Sequence, residues 1–173
     1  FSYFSDYFVF FKLLLLFFFF VLGIVISNNI SHFANKYDNS TLGRLGVVSL
    51  ISIFLHNVFE GILTFISCQI DLELGISMAF AISLHNIPEG ISIAIPLYYA
   101  NKSKRKIFLM VLVAGFSELI GALMGYLFLN PIINNFTLGG ILAITAGIMT
   151  NIGLFSLLKE SIEYNRKISI FGF

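Results

Sequence analysis

Ser83-Leu84-His85-Asn86-Ile87-Pro88-Glu89-Gly90 sets an imidazole, an amide and a carboxylate inside a stretch that is otherwise largely apolar from Leu74 to Ala100. Polar groups of this kind are expensive in such surroundings. His85 and Glu89 are four residues apart, so on a helix of about 3.6 residues per turn they stack on one face, with Asn86 beside them. That face can grip a cation. Pro88 has no N–H, so the carbonyl of Leu84 loses its helical partner and the helix is expected to bend there. The pattern occurs earlier as His56-Asn57-Val58-Phe59-Glu60-Gly61, with the same offsets between His, Asn, Glu and Gly. Two copies argue against accident.

The 173 residues are 58% hydrophobic and 11% charged, with a mean hydropathy of +0.94. These values lie far from those of soluble domains and indicate an integral membrane protein in a lipid bilayer. The net charge of +1 says little, because in a bilayer the placement of charges matters and not their sum, and nucleic acid is not an expected partner. Cys68 is the sole cysteine, which rules out an intrachain disulfide or a thiolate metal cluster and reads as apolar packing. The chain opens on Phe1 and ends in the apolar run from Ile168 to Phe173, so a single transmembrane domain over 1–173, truncated at both ends, is expected.

Apolar stretches long enough for a span of about 20 residues run over 8–27, 45–67, 74–100, 107–129 and 137–158. The expected fold is therefore all-α, a polytopic membrane helix bundle with five transmembrane helices. Its central pair carries the two HNxxEG motifs as an inverted repeat. The first helix, with only Leu and Phe from Leu13 to Phe20, reads as lipid-facing and without chemistry. Gly115, Gly121 and Gly125 read as close-packing positions, His32 as a solvated residue of the first connection, and Pro131 as the breaker before the fifth helix. If connections alternate sides, one face holds Lys36, Arg44, Lys102, Lys104, Arg105, Lys106, Lys159, Arg166 and Lys167, and the other only Lys12. The positive-inside rule makes the first face cytoplasmic, with the chain starting outside and ending inside. Asp38, Glu160 and Glu163 fall on the inner side, and Asp6, Asp71 and Glu73 on the outer.

Glu60, Glu89 and Glu118 remain inside spans with no Lys or Arg beside them. An unpaired charge near the middle of a span costs roughly 3 kcal/mol or more, so protonation, mutual hydrogen bonding or a cation must offset it. Imidazole nitrogen with carboxylate oxygen suits borderline metals such as Zn²⁺ and Fe²⁺, and two helices with His at i and Glu at i+4 supply four ligands. The short connection near Asp71 makes the two helices antiparallel neighbours, a device recurrent in transporters. Asn57 and Asn86, with Glu60, Glu89 and Glu118, form a second, more oxygen-rich position that shares the carboxylates.

The second motif, with the acidic turn Asp71-Leu-Glu-Leu-Gly75 and the later Ser117-Glu118-Leu-Ile-Gly121, resembles the ZIP (Zrt/Irt-like) metal transporters over about Gly43 to Glu160. The resemblance implies eight helices in the whole protein, of which these five match the third to seventh. By motif position it places metal ligands at His56, Asn57, Glu60, His85, Asn86 and Glu89, with Glu118 matching the acidic residue of the sixth helix. It further implies a multi-pass plasma-membrane (cell inner membrane) transporter with zinc as cargo and iron(II) or manganese(II) as alternatives, import into the cytoplasm, a homodimer, and no enzyme cofactor. Phe59 stands where the family's first motif has proline, so that helix is expected to be straighter. Two other classes compete. An intramembrane metalloprotease needs His-Glu-x-x-His, whereas the order here is His-x-x-x-Glu. An intramembrane proton relay or noncatalytic membrane subunit would use the buried carboxylates without metal.

Overall fold

The computed structural model describes residues 2–34, 36, 40–129, 135–159 and 161–163. Pro131, Asp38, Glu160, Arg166 and Lys167 lie outside them. The described elements are helical: α1 (Ser2–Ala34), α2 (Thr41–Ile70), α3 (Leu72–Tyr99), α4 (Lys104–Met124) and α5 (Asn135–Thr150). The last two continue as wide π-helical stretches, Gly125–Leu129 and Asn151–Leu157. α1 to α4 are long and apolar enough to cross a membrane, and the fifth contributes the shorter apolar segment Gly139–Phe155.

Local chemistry explains where the helices run past the apolar stretches. α1 continues to Ala34 because Asn29 donates to the Val25 carbonyl at 2.8 Å and Ser31 to that of Ser27 at 3.1 Å, so polar side chains bond within the helix. His32 consequently sits on the last turn of α1, exposed, and not in a connection. Ser40 caps α2 by accepting from the Gly43 N–H at 3.0 Å. Asp71 alone turns the chain from α2 into α3. Its N–H closes α2 on the Ser67 carbonyl at 2.9 Å, while its carboxylate accepts from the N–H groups of Glu73 and Leu74 at 2.8 and 3.4 Å. One residue thus satisfies orphan groups of both helix ends. α3 runs unbroken through Pro88 and Pro96 and ends with Asn101 at φ 59. Lys102 N–H then reaches the Leu97 carbonyl, and Asn101 N–H that of Tyr98. This is a left-handed C-terminal cap on asparagine, the non-glycine residue best suited to it.

α2 lies at the centre, packed on α3 and α4 and touched by α1 and α5, which pair with each other. Ile53, Ile93, Leu97, Ile107 and Ala114 form the apolar core where α2, α3 and α4 meet. Gly61 and Gly121 let α2 and α4 touch: a Cβ on Gly61 would strike the Glu118 carbonyl oxygen, and one on Gly121 the Val58 carbonyl oxygen. Gly23 and Gly147 do the same for α1 and α5. Gly125 packs against the Phe65 ring, whereas a Cβ on Gly115, also expected to be a packing position, would meet nothing within 4 Å among the described residues. Large apolar side chains such as Phe17, Phe80, Ile87, Phe108 and Leu119 point outward, as a lipid-facing surface requires.

Candidate metal centre

The antiparallel crossing of α2 and α3 brings the two motifs face to face. His85 Nε2 stands 2.7 Å from Glu60 Oε1, and His56 Nε2 stands 3.3 Å from Glu89 Oε1. Each imidazole thus reaches the carboxylate of the other helix, the reciprocity that a twofold-related pair demands. His56 Nε2 also lies 2.9 Å from Glu60 Oε1, its own partner four residues on. The side chains of His56, Glu60 and Glu89 are 12%, 8% and 10% exposed, while that of His85 is 44% exposed. Among the described residues the α2 ligands are thus the more enclosed.

One ligand atom from each of His56, Glu60, His85 and Glu89 lies within 4.8 Å of the others. A tetrahedral zinc shell of about 2.1 Å radius spaces its ligands by roughly 3.4 Å. Small side-chain rotations would close the four onto one ion. The polar inventory fits that chemistry, since Glu60 Oε2, Glu89 Oε2 and His56 Nδ1 are buried without a hydrogen-bond partner among the described residues. Two carboxylates meeting at one imidazole in an apolar bundle concentrate negative charge, which a divalent cation neutralises most fully.

The remaining three expected residues are placed differently. Asn86 Nδ2 donates to Glu118 Oε2 at 3.1 Å, which ties the acidic residue of α4 to the motif of α3. Asn57 Nδ2 donates to the Ala114 carbonyl of α4 at 3.0 Å. Ser117 crosses the same contact in the other direction, donating to the Phe54 carbonyl at 2.9 Å. Asn57 Oδ1 and Asn86 Oδ1 stay buried and unpartnered among the described residues.

The family model of the ZIP Zinc transporter matches residues 27–171. The chain belongs to the ZIP family. That family consists of transporters and not enzymes. Among curated relatives, this ZIP chain is 43% identical over 135 residues to the zinc transporter ZupT of Clostridium perfringens, covering 78% of this chain and 47% of that protein. It is 42% identical over 132 residues to the ZupT of Streptococcus mutans, covering 76% and 50%. The ZupT of Campylobacter jejuni is 39% identical over 132 residues. The ZIP chain thus spans about half the length of the curated relatives it matches. No solved structure matches it.

One polar contact of the ZIP chain escaped the sequence reading. Asn151 Nδ2 donates to Ser27 Oγ at 2.9 Å and to Asn28 Oδ1 at 3.2 Å, which locks α5 to α1 beside the Gly23–Gly147 contact. The signal was present in an asparagine and a serine interrupting apolar stretches, but nothing in a lone Asn names its partner helix.

Proposed function

We propose that the protein carries a divalent metal ion, zinc foremost, across the membrane, with His56, Glu60, His85 and Glu89 binding the ion in transit. The observation that carries this reading is the convergence of two imidazoles and two carboxylates from paired helices within 4.8 Å. The chain's similarity to zinc transporters supports it. Asn57, Asn86 and Glu118, sharing Glu60 and Glu89, make up a second position of a binuclear site. Support for it comes from the Asn86–Glu118 contact and the buried free Oδ1 atoms of both asparagines. Iron(II) and manganese(II) as further cargo, import as the direction, the plasma membrane as the location and a homodimer as the assembly rest on the family resemblance.

Uptake of radioactive zinc into liposomes holding the full-length protein tests the reading. Saturable uptake that His56→Ala and His85→Ala reduce is expected; zinc entry no faster than into empty liposomes would end it.

The basic residues support a cytoplasmic α3–α4 connection. Arg105 is exposed on the first turn of α4 beside it, so Arg105→Cys, in a Cys68→Ala background, is expected to resist a membrane-impermeant thiol reagent in intact cells. Ready labelling would reverse the orientation of every connection.

A further inference from the structure

In a helix within an apolar bundle, a serine or threonine hydroxyl ordinarily bonds back to a carbonyl three or four residues earlier. Five here do so: Ser31 to Ser27, Ser83 to Phe80, Ser92 to Glu89, Ser117 to Ala114 and Thr145 to Ile141. Three on α2 do not. Ser49 Oγ, Ser52 Oγ and Thr64 Oγ1 are buried without a partner among the described residues, and Ser49 and Ser52 are 0% exposed. Leaving such a hydroxyl unpaired is costly, and three on one helix ask for a common cause.

Their register supplies one. Positions 49, 52, 56, 60 and 64 are spaced by three, four, four and four residues, so at about 100° per residue they fall within a sector of roughly 120° on α2. The residues that meet α4, namely Phe54, Asn57, Val58 and Gly61, lie on the adjacent side. The row passes through His56 and Glu60, whose Nδ1 and Oε2 are the other unpartnered polar atoms on it. From Ser49 to Thr64 it rises about 22 Å, most of a hydrocarbon core of about 30 Å.

We propose that Ser49, Ser52 and Thr64 are weak oxygen steps that hand the metal ion along α2 to and from the His56/Glu60 cluster. Thr64 serves the half towards Asp71, and Ser52 and Ser49 the half towards the N-terminus of α2. This rests on the transport reading above. A neutral hydroxyl replaces a water of the ion's hydration shell without holding the ion, and conduction needs positions strong enough to enter and weak enough to leave. The imidazoles and carboxylates bind; the hydroxyls pass the ion on. The free orientation of each Oγ is what allows it to turn towards an ion in transit.

The test uses full-length protein with Ser49→Ala and Ser52→Ala combined, and Thr64→Val separately. Calorimetric zinc affinity and initial zinc uptake into liposomes are both measured. Affinity within about twofold of the parent, with uptake slowed roughly fivefold or more, is expected when an interaction of hydrogen-bond strength leaves a barrier. Restoration by Ser52→Thr on the Ser49→Ala background, which returns one hydroxyl, would be intermediate. Uptake equal to the parent's overturns the proposal, and so does a loss of affinity in step with uptake, which would assign the hydroxyls to the site or to packing. A parent that neither binds nor moves zinc would instead remove the reading on which the proposal rests.

Discussion

Glu89→Gln is expected to abolish high-affinity zinc binding, a loss of at least about a hundredfold, while the helices stay packed. The substitution keeps shape and volume but removes the charge that His56 Nε2 faces at 3.3 Å. Glu60→Gln is expected to act at least as strongly, because Glu60 Oε1 lies 2.7 Å from one imidazole and 2.9 Å from the other. Binding should also release protons and weaken as pH falls, since only deprotonated carboxylates and neutral imidazoles coordinate. Titration in two buffers of different ionisation enthalpy counts those protons. Parent-like affinity and proton count in Glu89→Gln would assign the carboxylates a metal-free role. Asn86→Ala, by contrast, is expected to spare the four-ligand cluster and alter metal selectivity, because it removes one group of the proposed second position and the hydrogen bond to Glu118.

The second large effect is structural. Gly61→Ala and Gly121→Ala should each cost about 3 kcal/mol, because the new methyl would meet the backbone carbonyl of Glu118 or Val58, which no side-chain rotation relieves. Driving α4 off α2 would also break the Asn57–Ala114 and Ser117–Phe54 bonds that set Glu118 beside Asn86. Gly115→Ala is the matched control. Its Cβ finds open space, so its effect should stay within about 0.5 kcal/mol. Detergent unfolding curves of the three variants decide it, and equal midpoints for Gly121→Ala and Gly115→Ala would contradict the close α2–α4 contact.

The helical bundle and the His–Glu pairs were legible because apolar length and four-residue spacing are properties of one chain segment at a time. His56, Glu60, His85 and Glu89 converge because a single-residue turn at Asp71 fixes the two helices antiparallel. Contacts that depend on which helix lies opposite were not legible. Gly115 and Gly121 sit on the same helix with the same chemistry, yet only Gly121 meets a backbone. Asn57 and Asn86 occupy matching motif positions, yet one bonds to a carbonyl of α4 and the other to a carboxylate of it. The repeat is symmetric in sequence, yet within this chain, which spans about half the length of its relatives, His85 is 44% exposed and His56 12%. The first helix, expected to be lipid-facing from its Leu and Phe run, also carries buried Ser27 at its contact with Asn151.

X-ray absorption at the zinc edge of the loaded full-length protein tests the central claim most directly. A shell of nitrogen and oxygen at about 2.0–2.1 Å with imidazole scattering is predicted, the imidazole signal falling by half in His56→Ala and in His85→Ala. A shell whose imidazole signal neither substitution changes would place the metal elsewhere and contradict the account.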